Sequence, residues 1–239
     1  MTNIFAFIAE HKKIVFTLVS IITVPLLIYW GCNALFFYNV KLSNYVSTPY
    51  TAIKIDGELG MTNKKGWPRM AYSITGLKKR DWFLHSVSQG PIAGYSIQGV
   101  LKHKNVKTEP IRDWTVNKIL ISESYRKDNH DITYIVDKEI EDSETINNLV
   151  DIIVNNKNLL QGAERGNKYY GTGWWIVFTF EECSSLVFTC NLYIDKENME
   201  YNYLCSGEKI YAVYGALNEA LMGIPKYAEY LEYLNRQRG

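Results

Sequence analysis

The chain has 239 residues, of which 47% are hydrophobic and 21% charged, enough to support a packed core and to exclude disorder throughout. Its 26 basic residues against 25 acidic ones lack the positive excess that a general nucleic-acid binder needs. Four Cys are too few for a disulfide-stapled scaffold.

From Ile14 to Tyr38 there is no Asp, Glu, Lys, Arg or His. As a helix this run is about 37 Å long, against a hydrocarbon core of about 30 Å. It predicts a single transmembrane helix over 14–38, with the lipid bilayer as its partner. The run outlasts the apolar core of a cleavable signal and continues past Gly31-Cys32 and Ala34, so the expectation is an uncleaved signal-anchor. Aromatic residues gather in its second half, and Lys12-Lys13 abut its start. Residues 1–13 are then a short cytoplasmic N-terminus. The location is the cell membrane, single-pass, with the C-terminal domain extracytoplasmic. Residues 39–50 read as a juxtamembrane linker.

The remainder, 51–239, reads as one α+β domain with an antiparallel meander covered on one face by helices. Its β-rich part is 51–138. Short strands are expected at Ala52–Asp56, Met70–Thr75, Ile92–Val100, Thr115–Ser122 and Ile132–Asp137. Asp81–Val87 reads as a short helix, and Glu123–Asp131 as a long hairpin loop. Over 139–239 the pattern is helix, meander, helix. Ile146, Leu149, Val150 and Ile153 make one helical face over 143–156, capped at Asp142 or Ser143. Strands follow at about 174–182, 186–194 and 199–205, then a helical end with Tyr211–Met222, a break at Gly223 and a restart at Pro225.

Alternation sets the register of the meander. Leu186, Phe188, Cys190, Leu192 and Ile194 define a core face. Pairing Ile194 with Met199 puts Cys190 opposite Tyr203, and pairing Glu182 with Leu186 brings Trp174, Ile176, Phe178 and Phe180 onto that face. Cys190 and Cys205 then sit diagonally, beyond disulfide reach, so Cys183, Cys190 and Cys205 are expected as free thiols, two of them buried.

No motif points to catalysis. His85, His103 and His130 lack a second His or a Cys at ligand spacing, so no metal site is expected. Gly166–Gly171 has the spacing of a phosphate loop but is followed by Thr172-Gly173 instead of Lys-Ser/Thr, and no cofactor is expected. The compositional excess is aromatic, with 18 Tyr, 6 Trp and 9 Phe. Tyr169, Tyr170 and Trp175, around flexible glycines, are candidate binding residues for a sugar ring or an extended peptide, and Trp67 is a fourth. The bland alternative is that these aromatics pack a strand into the core. The leading functional expectation is a membrane-anchored interaction or sensing module with a protein or glycan partner. An envelope hydrolase or transferase, with a site assembled from scattered residues and His85 or His130 as base, is a second reading. A third is an accessory subunit of a larger membrane complex, packing Gly31 and Ala34 against a neighbouring span.

Overall fold

The computed structural model describes residues 17, 19–27, 37–38, 45–62, 69–89, 92–100, 111–112, 114–128, 131–155, 159–160, 169–207 and 209–238. It begins with helix α1 over 19–27. Strands β1 (Phe37–Tyr38), β2 (Tyr45–Ser47), β3 (Tyr50–Ala52), β4 (Ile55–Thr62), β5 (Arg69–Ile74), β6 (Trp82–Gln89) and β7 (Ile92–Val100) follow. The second half comprises β8 (Val116–Asp128), β9 (Asp131–Ile140), helix α2 (Ser143–Val154), β10 (Leu159–Leu160), β11 (Tyr169–Phe180), β12 (Leu186–Asp195), β13 (Asn202–Ser206) and β14 (Lys209–Tyr214). A 3-10 turn (Gly215–Leu217) and helices α3 (Asn218–Met222) and α4 (Pro225–Arg238) close the described chain.

The strands form two sheets, one of six strands in the order β1-β4-β5-β6-β7-β2 and one of eight in the order β10-β14-β13-β12-β11-β8-β9, with β3 also on β12. β1 runs parallel to β4, and every other pairing described is antiparallel. The expected α+β class is therefore observed. β12 carries two partners along one edge: β13 pairs its Asn191–Ile194 end and β3 its Leu186–Phe188 end.

The six-stranded sheet is strongly curled. Strands two apart in a flat sheet are separated by about 9.5 Å. Yet Thr62 on β4 meets His85 on β6 at 2.8 Å, across the small, fully buried Ala71 of β5. Tyr45 on β2 likewise packs on Phe83 of β6, ring centroids 5.0 Å apart, with β7 between them. The curl encloses Thr62, Ala71, Phe83 and His85, while Tyr72, Ile74, Trp82 and Leu84 turn outward into the main core.

That core lies on the front face of the eight-stranded sheet. Phe178, Phe180, Leu186, Phe188, Cys190 and Leu192 line it. α2 covers it with Ile146, Leu149, Ile152 and Ile153, and the C-terminal helices with Leu217, Leu221, Ile224, Tyr227 and Leu234. The six-stranded sheet covers the rest, through a Tyr50–Trp82–Trp114–Phe180 ring cluster.

Several expectations are corrected. The expected span 14–38 ends short of its C-terminal limit, because Phe37–Tyr38 is strand β1. Among the described residues no helix is long and apolar enough to cross a membrane, and most of 14–36 lies outside the described residues. The expected linker 39–50 contains β2 and the start of β3. Asp81–Val87 is not a helix but the start of β6, since Trp82 and Leu84 face one core while Phe83 and His85 face the other. Glu123–Asp131 is mostly strand, because β8 and β9 pair from Ile119–Ile140 out to Asp128–Asp131. Tyr211–Met222 is not one helix: β14 runs to Tyr214 and only Asn218–Met222 is α-helical.

The β12–β13 register is also corrected. Ile194 pairs with Asn202, not Met199, because Asp195 accepts the backbone amides of Glu197 and Asn198, and Tyr201 N–H bonds Asn198 O. The longer turn shifts β13 by an odd number of residues, which exchanges its faces. Leu204 points to the core, and Tyr203 and Cys205 point to the back. On the other side Phe178 pairs with Phe188 and the connection is longer than the expected Cys183–Ser185 loop, but the shift is even and the expected core face survives. All three thiols are free, and Cys183 is buried together with Cys190 and Cys205.

The hairpin β8–β9 bends at Ser122, a bulge where the Ser122 hydroxyl lies 2.6 Å from the carbonyl oxygens of both Ser124 and Ile135. Beyond the bend the arm crosses the back of the sheet. Tyr134 meets Thr189 of β12, and Tyr125 and Tyr134 pack on Trp175. Its tip is tied down where Ile132 N–H bonds Ile53 O and Ile55 N–H bonds Asp131 Oδ1. Val177 and Val187 are buried beneath it.

Candidate functional site

The arm covers only part of the back face. Farther along the meander, Tyr169 of β11, Tyr193 of β12, Cys205 of β13 and Ile210 of β14 line a cleft of about 100 Å³. The register puts them together: Tyr169 pairs with Asp195, Tyr193 with Tyr203 and Cys205 with Ile210. Each projects from the back face because its neighbours Tyr170, Leu192, Leu204 and Tyr211 face the core. Tyr203 and Ala212 complete the cluster around it.

Its walls are held rigidly. Tyr169 and Tyr203 stack at 4.5 Å between centroids, tilted by 51°. The Tyr203 hydroxyl donates to Asp195 Oδ2 at 3.0 Å, while Asp195 Oδ1 accepts the Glu197 amide at 2.7 Å and the Asn198 amide at 3.1 Å. Burial, and then the bond to Asp195 with its charge, push the Tyr203 hydroxyl well above its ordinary value of 10.0, so it stays a neutral donor. The Tyr193 ring lies against the backbone of Gly171, where an added Cβ would stand 3.5 Å from it. Nearby Gly173 has φ +83°, and the Thr172 hydroxyl bonds Leu192 O at 2.8 Å, fixing the irregular start of β11.

The four aromatic candidates do not form one platform. Tyr169 is in the cleft. Tyr170 points to the opposite face, packed on the main core with the Lys196 ammonium 5.1 Å from its ring centroid. Trp175 is on the back face but belongs to the arm's aromatic trio with Tyr125 and Tyr134. Trp67 lies outside the described residues. Sequence reasoning missed Tyr193, Cys205 and Ile210, because the shorter turn it chose faced Cys205 into the core. The readable signal was Asp195 followed by Asn198, two side chains that favour a longer turn by taking up backbone amides.

Among the described residues the cleft lining offers two phenol rings, one aliphatic side chain and one thiol. The Cys205 thiol donates to Gly207 O at 3.7 Å, and among the described residues no histidine lines the cleft. His85, one of the two bases considered, is buried in the curled sheet and bonded to Thr62. His103 and His130 lie outside the described residues. Among the described residues no group of three or more His, Cys, Asp or Glu is placed to hold a metal ion. Comparison with protein-family models, with curated proteins and with solved structures finds no match for this chain.

Proposed function

We propose that this chain is a membrane-anchored binding module whose α+β domain takes an apolar or aromatic side chain of a protein partner into the back-face cleft. The observation that carries the reading is the cleft itself, walled by the rings of Tyr169 and Tyr193, with Tyr203 packed against Tyr169 and all three backbone positions fixed by strand pairing. A cavity of about 100 Å³ is of the size that one side chain fills. Two of its polar neighbours are directed elsewhere, Tyr203 to Asp195 and Cys205 to Gly207, which favours an apolar or aromatic group over a sugar that needs several hydrogen bonds.

The anchor half rests on the uncharged run from Ile14 and on α1. Its apolar side chains are exposed on every side, with Leu27 at 71%. A helix apolar all round and covered by no other part of the described chain is suited to lipid, not to water. With Lys12-Lys13 inside, the domain is extracytoplasmic.

Photo-cross-linking in intact cells tests the binding half. A benzophenone side chain replacing Tyr193 is expected to give one discrete adduct, absent when the label replaces exposed Glu229 and lost when Ile210→Trp fills the cleft. No adduct at 193, or equal labelling at 229, overturns the reading.

A further inference from the structure

The juncture between anchor and domain carries more than a tether. We infer that the six-stranded sheet lies along the bilayer surface, with β4 roughly parallel to the membrane plane and the lipid headgroup layer as its partner. The inference rests on the proposed span.

Its first support is covalent reach. A hydrocarbon core of about 30 Å takes about 20 helical residues, which counted from Ile14 end near Asn33. Phe37 is then only about 6 Å farther along a helix, or about 14 Å along an extended chain. The headgroup layer is itself about 5–8 Å thick on each side. Phe37–Tyr38 is already part of the sheet, hydrogen-bonded beside Met61 and Thr62. With β1 at Phe37–Tyr38, and β2 and the start of β3 inside the expected linker 39–50, only about three residues separate the expected end of the span from the sheet, too few for a freely swinging domain.

The second support fixes the angle. β1 runs parallel to β4 and pairs only with its final residues. The preceding part of β4, from Ile55 to Gly60, therefore extends about 20 Å backward past the point where the chain leaves the span. Were β1 to continue upright from the membrane, that stretch would run down into hydrocarbon. Asp56 and Glu58 are exposed on it, and ionised carboxylates are excluded from that depth. With the span in place, a turn at its end that lays β4 along the surface keeps both carboxylates among headgroups.

Nitroxide depth measurement on the full chain in phosphatidylcholine–phosphatidylglycerol vesicles tests this. Glu58→Cys and Met61→Cys are labelled in a Cys32→Ala, Cys205→Ala background, which removes the thiol that lines the cleft and leaves Cys183 and Cys190 buried. Glu197→Cys is the control, at the far end of a β12 strand about 30 Å long whose near end pairs with β3. Positions 58 and 61 are expected to share a headgroup-level depth, with 197 in bulk water. Exposed Glu58 tolerates its substitution, so it decides the result even where Met61→Cys misfolds. Positions 58 and 61 both as aqueous as 197, or 58 alone in hydrocarbon, would overturn the inference. Alkaline carbonate separates the two readings: protein stripped from the vesicles ends the span, whereas retained protein with aqueous labels ends only the docking.

Discussion

The two faces of the eight-stranded sheet are built from the same strands yet are closed in different ways. The front is sealed by elements drawn from four regions of the chain: β3 with the curled sheet, the Trp114 segment, α2 and the C-terminal helices. Among the described residues the back is closed by a single bent hairpin, and where that hairpin does not reach, tyrosines leave a cleft. The front therefore supplies most of the cohesion, and the back is where the proposed partner would be admitted without disturbing it. Packing at this density makes the front intolerant of lost volume, while an open cleft tolerates change at the expense of recognition.

That difference predicts a ranking. Phe188 is fully buried at the centre of the front, packed on Phe178 with 5.8 Å between centroids. Phe188→Ala should cost about 3–5 kcal/mol in urea unfolding. A loss below about 2 kcal/mol would mean that the front is not the principal core. Asp195→Ala acts at the cleft, where it strips the acceptor from Tyr203 and from two backbone amides. The expected loss is about 3 kcal/mol. A conservative Asp195→Asn, which keeps one acceptor oxygen, should recover a large part of it. If both variants unfold like the parent, the turn does not support the cleft.

A third substitution asks whether the arm truly closes the back. Val177 is fully buried there, under the Tyr134–Thr189 contact. Val177→Ala should cost about 2 kcal/mol, whereas a solvated position would show almost nothing. Because Lys226 of α4 bonds Glu123 of the arm at 2.7 Å, high salt should loosen the arm before the core, and hydrogen exchange of β9 amides reads this directly.

The front was largely legible in the sequence and the back was not, for a physical reason. A strand with one buried face advertises itself by alternation, as Leu186–Ile194 does, and that pattern chose the front face correctly. A strand buried on both faces loses the alternation. Trp82-Phe83-Leu84-His85 reads as a helical cluster, although two of its side chains serve one core and two the other. The distal half of β8 was hidden differently, since Glu123–Asp128 is exposed and polar like a loop and owes its strand form to pairing with β9 and to the arm's docking on Ile53 and Trp175. The site failed through one turn. An Asp195 that captures backbone amides lengthens it, and an odd slip sends Tyr203 and Cys205 to the opposite face. Hydrophobicity cannot detect that slip in Asn202-Tyr203-Leu204-Cys205, because either face of this strand is apolar enough to be buried.

The smallest expected effect concerns α2, one of the lids on the front. Its N-cap, Asp142, accepts the Thr145 amide at 2.8 Å, satisfying a donor that the first turn leaves open. That backbone bond, followed by a further bond to Thr145, holds the Asp142 carboxyl below its ordinary value of 3.8. A carboxyl depressed in the folded state stabilises fully above the unfolded value, and the contribution fades as pH falls through the folded one. Stability should therefore decline below about pH 4 in the parent, and less steeply in Asp142→Asn, whose amide oxygen still accepts the Thr145 bond but does not titrate. Thermal melts between pH 2.5 and 7 compare the two slopes. Identical acid limbs would show that the cap does not couple α2 to the front core. A difference confined to pH below 4, with equal stability at pH 7, would place its contribution at the helix terminus, leaving the buried face of Ile146, Leu149, Ile152 and Ile153 to hold the lid in place.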